Sequence, residues 1–194
     1  MIENVLTKKG VAFKAKVTVK GLISVGIVAL AVTLPMLVHL VAGAEGGMKW
    51  LPMYLPVLIG GCILGVRWGL AVGVASPLVS FAITALAGNP MPAAARLPFM
   101  IVELAVLASV SGLFANRIAA NGWFAFPATI PAFVSGRTVF MLLALVFQSV
   151  TPFSPELIFS QIESGMLAVV LQSVAVSFAV MGLKALLYKE KKND

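Results

Sequence analysis

Apolar positions along this chain run in long unbroken stretches, interrupted by short polar or glycine- and proline-bearing segments rather than alternating at the period of a soluble amphipathic helix. A helix rises ~1.5 Å per residue and a bilayer's hydrocarbon core is ~30 Å thick, so one crossing needs roughly 20 apolar residues. By that measure the pattern predicts six crossing helices, at 21–42, 52–66, 69–88, 97–118, 124–147 and 159–187. The second is too short to face lipid along its whole length. It opens on Pro52 and Pro56, continues through Gly60 and Gly61, and is closed early by Arg67. Such a segment must be tilted, shielded by neighbours, or begun inside the protein, where its end can wall a pocket. Gly61, Gly65, Gly69 and Gly73 recur every four positions around the brief "VRWG" break, a spacing that lets helix backbones approach closely. The second and third spans are therefore expected to form a tight antiparallel hairpin.

Composition fixes the class. Of 194 residues, 60% are hydrophobic and 11% charged, and the mean hydropathy is +1.04. These values predict an all-α integral membrane protein, a compact bundle of six transmembrane helices forming a single domain over 1–194, with a basic leader at 1–20 and a tail at 188–194. The one cysteine and one histidine exclude a disulfide framework and a multi-histidine metal site. The net charge of +7 does not indicate nucleic acid, because the basic residues sort by membrane side. Lys8, Lys9, Lys14, Lys16, Lys20, Arg67, Arg117, Lys184, Lys189, Lys191 and Lys192 fall on one side of six crossings. Lys49 and Arg96 fall on the other, and Arg137 lies within the fifth span. The positive-inside rule then puts both termini in the cytoplasm. The leader reads as a solvated or surface-lying tail that meets anionic membrane lipid. A cleaved secretory signal is the competing reading of this end, since Ala42 and Ala44 make a small-residue pattern. The apolar stretch before them is longer than a usual signal core.

Ionisable groups inside a span are costly and point to an internal cavity or a partner. Glu103, Glu163 and His39 lie within the outer ends of spans four, six and one, and Arg137 near the middle of span five. Asn89, Gln148, Gln161, Trp50 and Tyr54 border the same outer side. Together these nine residues describe a substrate pocket opening outward. Arg137 would face it, pairing with Glu103, Glu163 or an anionic group of the ligand, while Trp50 and Tyr54 could stack on an aromatic ring. The outer connections "GAEGGMKW", "GNPMPAAAR" and "SVTPFSPEL" are candidate lids. Cys62 lies toward the inner end of span two and is not expected to touch ligand.

The block "LPMYLPVLIGGCILGVRWGLAVGVASPLVSFAITALAG", the loop "NPMPAAARLP" and the glutamate-bearing span "FMIVELAVLASVSGLFANRI" together resemble the substrate-binding S component of an energy-coupling factor (ECF) transporter. Length, span count and basic carboxyl tail agree with that family across nearly the whole chain. The resemblance implies a six-helix bundle in a prokaryotic cell membrane that binds a vitamin, cofactor precursor or similar micronutrient near its outer face. It would deliver that ligand by reorienting on a transmembrane coupling subunit and two ATPase subunits. No catalysis, cofactor or metal of its own is implied. Family members often carry an alanine-x-x-x-alanine pattern in the first span for docking the coupling subunit. Here the strict form is missing, and its nearest equivalent is the stripe Gly26, Ala29, Thr33. The alternative reading is a stand-alone secondary transporter using Glu103, Arg137 and Glu163 as an ion or proton relay. An intramembrane enzyme fits less well, since no G-x-S-x-G accompanies the histidine.

Overall fold

The short, proline-started segment forms the middle of the molecule. In a computed structural model that describes residues 1–8, 10, 12–148 and 155–189, helix α3 (Tyr54–Leu64) is buried at every position except Leu55 and Ile59. Its eleven residues rise only ~16 Å, about half the hydrocarbon thickness. It can be that short because its neighbours, and not lipid, cover it. All regular structure among the described residues is helical. The order is α1 (Ile2–Lys8), α2 (Phe13–Trp50), α3, α4 (Val66–Leu86), α5 (Leu97–Leu113), α6 (Ala115–Ala120), a 3-10 turn (Gly122–Phe124), α7 (Ala125–Val146) and α8 (Pro155–Lys189).

Two short apolar helices, α3 and α5, pack on each other and occupy the centre; α2, α4, α7 and α8 surround them. Four stretches are long and apolar enough to cross a bilayer: Phe13–Gly43, Val66–Leu86, Gly122–Val146 and Ile162–Leu186. Their outward faces carry Leu22, Leu40, Leu86, Ile130, Val146 and Leu167, each more than half exposed. Apolar surface on that scale is stable in lipid and not in water, so the chain is a helical membrane protein.

The hairpin between the second and third apolar segments turns on one residue. Gly65 has φ +85°, a backbone conformation that a side chain would strain, and α4 starts immediately after it. The turn thus falls two residues before Arg67, which sits in the first turn of α4 with its side chain exposed instead of ending the span. The glycine ladder also does more than close that hairpin. Cβ atoms added at Gly61, Gly69 and Gly73 would meet the carbonyl oxygens of Ala108, Ala108 and Leu104 on α5, at 2.5, 3.0 and 2.5 Å. The ladder is therefore a three-helix seam.

Two further boundaries differ from the sequence reading. The segment 43–50, expected as an outer loop, is helical, and α2 breaks only at Gly43, which is left-handed at φ +64°. The leader, expected as a solvated or surface-lying tail, carries α1, and Met1 and Ile2 at its start pack into the main apolar core. Lys20 Nζ binds Glu3 Oε2 at 2.8 Å across the α1–α2 bend, and this ammonium holds the Glu3 carboxyl below the usual carboxylate range. Of the third expected lid, 149–157, residues 149–154 lie outside the described residues and 155–157 begin α8.

Candidate functional site

A pocket of about 350 Å³ opens at the end of the bundle where α2 and α4 finish and α3 and α5 begin. Its walls come from the late part of α2 (Pro35, His39), the start of α3 (Tyr54), the α4–α5 loop (Asn89, Met91) and the head of α5 (Arg96, Met100). Arg67, Arg117 and Lys184 belong to the opposite ends of their helices.

The α4–α5 loop owes its shape to two small polar residues on α4. Thr84 Oγ1 accepts the backbone N–H of Met91 at 2.7 Å, and the Thr84 hydroxyl lies 2.7 Å from the Ser80 carbonyl that it can donate to. Ser80 Oγ donates to the Met91 carbonyl at 2.9 Å. Both side chains are almost wholly buried, so the loop is fastened to the helix wall and does not swing free. Thr84→Val keeps the shape but strands the Met91 N–H, which is expected to cost about 1–3 kcal/mol. A lowered unfolding midpoint in detergent would show it, and a wild-type midpoint would mean that the loop is held by something else.

On α2, Pro35 lacks the N–H that would bind the carbonyl four residues earlier, and His39 Nδ1 lies 3.0 Å from the Pro35 carbonyl. A carbonyl only accepts, so Nδ1 carries a proton and, in the neutral ring, Nε2 is left as an acceptor.

One turn deeper on α5 than Met100 lies a buried polar cluster. Glu103 is fully buried, and its Oε1 is 3.1 Å from Arg137 Nη1 on α7. The guanidinium carbon also stands 5.0 Å from the centroid of the Tyr54 ring, which stacks on Phe133 at 6.1 Å. Among the described residues the Tyr54 hydroxyl, both Glu103 oxygens and Arg137 Nη2 have no aligned hydrogen-bond partner. The Glu103–Arg137 contact is thus an ion pair by distance rather than a directed hydrogen bond. Tyr54 belongs to both places, with an edge on the pocket and a face on the ion pair.

The structure brings His39, Tyr54 and Asn89 together at the pocket, and joins Glu103 to Arg137 behind Tyr54. Trp50, Gln148 and Glu163 are exposed and line no part of it. The side chain of Gln161 lies outside the described residues. Gly26, Ala29 and Thr33 are exposed on α2.

Two residues of consequence went unread in the sequence. Arg96 lines the pocket, and its signal was available as one of the two cations on the side where basic residues are scarce. Gln172 on α8 donates through Nε2 to the carbonyls of Trp50 and of Leu51, the latter at 3.0 Å, and so caps the end of α2. Its contacts span more than a hundred positions, and no local pattern announces them. Neither a family model, a curated protein nor a solved structure matches the chain.

Proposed function

We propose that this protein is the high-affinity substrate-binding subunit, the S component, of an ECF-type importer for a vitamin, cofactor precursor or similar micronutrient. The observation that carries the reading is the partly open pocket at one end of an apolar bundle, with a fastened loop on one wall and a buried ion pair behind it. Small-molecule sites have this character, mostly apolar walls with a few converging polar groups. In this reading α2, α3, α4, α5, α7 and α8 make the six crossings, with α3 and α5 shielded by the other four. Both termini are cytoplasmic in a prokaryotic plasma membrane, and the pocket faces outward. The coupling subunit would dock on α2, where Ala29 and Thr33 line an apolar groove of about 530 Å³ between α2 and α4. Energy would come from the two partner ATPases, and this chain would contribute binding and reorientation.

A relay through Glu103, Arg137 and Glu163, as a stand-alone secondary transporter would need, is less well supported. Glu163 is exposed on α8 and joins neither the pocket nor the buried pair.

The test is to purify the full chain in mild detergent, analyse it by native mass spectrometry for a retained small molecule, and reconstitute it alone in vesicles. A bound molecule with no uptake under an ion gradient fits a subunit that needs an ATPase partner. Uptake by the lone chain driven by the gradient would instead establish the secondary transporter.

A further inference from the structure

The charges around the pocket specify what it holds. We propose that the pocket takes a small, largely apolar molecule bearing a single carboxylate, and that Arg96 receives that carboxylate; the inference rests on reading the chain as a substrate-binding subunit. Two arginines stand near the site and only one is available. Arg137 is matched by Glu103 at 3.1 Å and is not part of the pocket wall. Arg96 lines the pocket, and among the described residues no carboxylate lies within ion-pair distance of it.

Its surroundings hold Arg96 without satisfying it. The guanidinium carbon lies 5.5 Å from the centroid of the Phe140 ring, and Phe140 is itself braced edge-on by Phe99 at 6.1 Å. An aromatic face attracts the cation yet accepts none of the N–H bonds in the guanidinium plane. Among the described residues the Nε of Arg96 is buried with no hydrogen-bond partner. That nitrogen is closed to the pocket, so a ligand carboxylate would meet the guanidinium through its two Nη groups, which are not among the buried unpartnered atoms. A planar carboxylate matches the guanidinium fork with two parallel bonds.

Number and size narrow the ligand further. Among the described residues no Asp or Glu lines the pocket, and Arg96 is the lone Lys or Arg in its wall. One cation balances one negative charge. A phosphate dianion would call for more, and the positive end of α5, at whose N-cap Arg96 sits, supplies only a fraction of a charge. Met53, Met91 and Met100 give the remaining wall an adaptable apolar character, while His39 Nε2 and Asn89 can meet a hydroxyl or amide. A volume of about 350 Å³ lies at the small end of ligand pockets. It suits a one-ring or short branched acid.

The experiment identifies the small molecule retained by the purified full-length protein and compares wild type with Arg96→Gln and Arg96→Lys. Thermal shifts are measured alongside with matched acid and neutral probes, nicotinate against nicotinamide and pantothenate against panthenol. The expected result is a retained monocarboxylic acid, or stabilisation by an acid and not by its neutral partner. Arg96→Gln should lose at least tenfold in occupancy or affinity at an unchanged ligand-free midpoint, with partial recovery in Arg96→Lys. A retained neutral or cationic compound, or full occupancy in Arg96→Gln, overturns the carboxylate assignment and leaves the binding subunit standing. Wild-type protein that retains nothing and responds to no probe removes the binding-subunit reading and the assignment together.

Discussion

Glu103→Gln is expected to destabilise the bundle by about 3–5 kcal/mol, because it leaves a buried guanidinium without its counter-charge. The wild-type Arg137 side chain is 11% exposed and that of Glu103 is wholly buried. With the carboxylate gone, the contact left to Arg137 is the Tyr54 face, and a desolvated cation–π contact contributes about 2 kcal/mol, less than the loss of the counter-charge. Arg137→Ala should cost as much for the mirror-image reason, stranding a carboxylate between α5 and α7. The double variant Glu103→Gln/Arg137→Ala is the decisive comparison. Removing both charges together removes the desolvation penalty along with the attraction, so its loss should fall well short of the sum of the two single losses. Unfolding midpoints of the four proteins in one detergent measure this. Additive losses, or a Glu103→Gln midpoint equal to wild type, would show that the pair does not carry the α5–α7 contact.

This expectation also separates the two arginines that the sequence left undivided. Arg137 was conspicuous because it sits mid-span, and that depth is what makes an internal partner necessary. Arg96 sits at a helix end, where an interfacial arginine is ordinary, and only its place on the sparsely basic side marked it. The all-helical class and the order of the apolar stretches were legible for a simple reason: apolar stretch length is a local property, and in a membrane protein it is the dominant one. The boundaries slipped where one residue's backbone decides them. Arg67 looked like the end of a span, but Gly65 makes the turn and the arginine rides outward on the next helix. The pocket was legible in part. His39, Tyr54 and Asn89 were read from depth, whereas Met91, Arg96 and Gln172 take their roles from how a loop is fastened and from contacts across the bundle. Trp50, Gln148 and Glu163 were read by the same depth argument and lie elsewhere on the surface. Depth alone does not say which way a side chain points around its helix.

Gly73→Ala should disrupt the protein nearly as much, through backbone rather than charge. The added methyl would stand 2.5 Å from the Leu104 oxygen, 2.8 Å from its carbonyl carbon and 2.9 Å from the Ala105 Cα. All three are main-chain atoms inside a central helix, so no side chain can rotate away and α4 must move off α5. Overpacking of this kind costs ~1–3 kcal/mol, and with backbone on the far side the upper part of that range applies. Alanine does gain up to ~1 kcal/mol over glycine in helix propensity, so the steric term must exceed that gain for the variant to be less stable. Gly26→Ala is the internal control: on α2 an added Cβ meets nothing within 4 Å, and the propensity gain should appear there unopposed. The two variants should therefore shift the unfolding midpoint in opposite directions. Gly73→Ala should also impair the pocket, because Ser80 and Thr84 hold the α4–α5 loop from the helix that is displaced. If Gly73→Ala unfolds at or above the midpoint of Gly26→Ala, the close α4–α5 approach does not exist in the membrane. The pocket would then have to be built on some other contact.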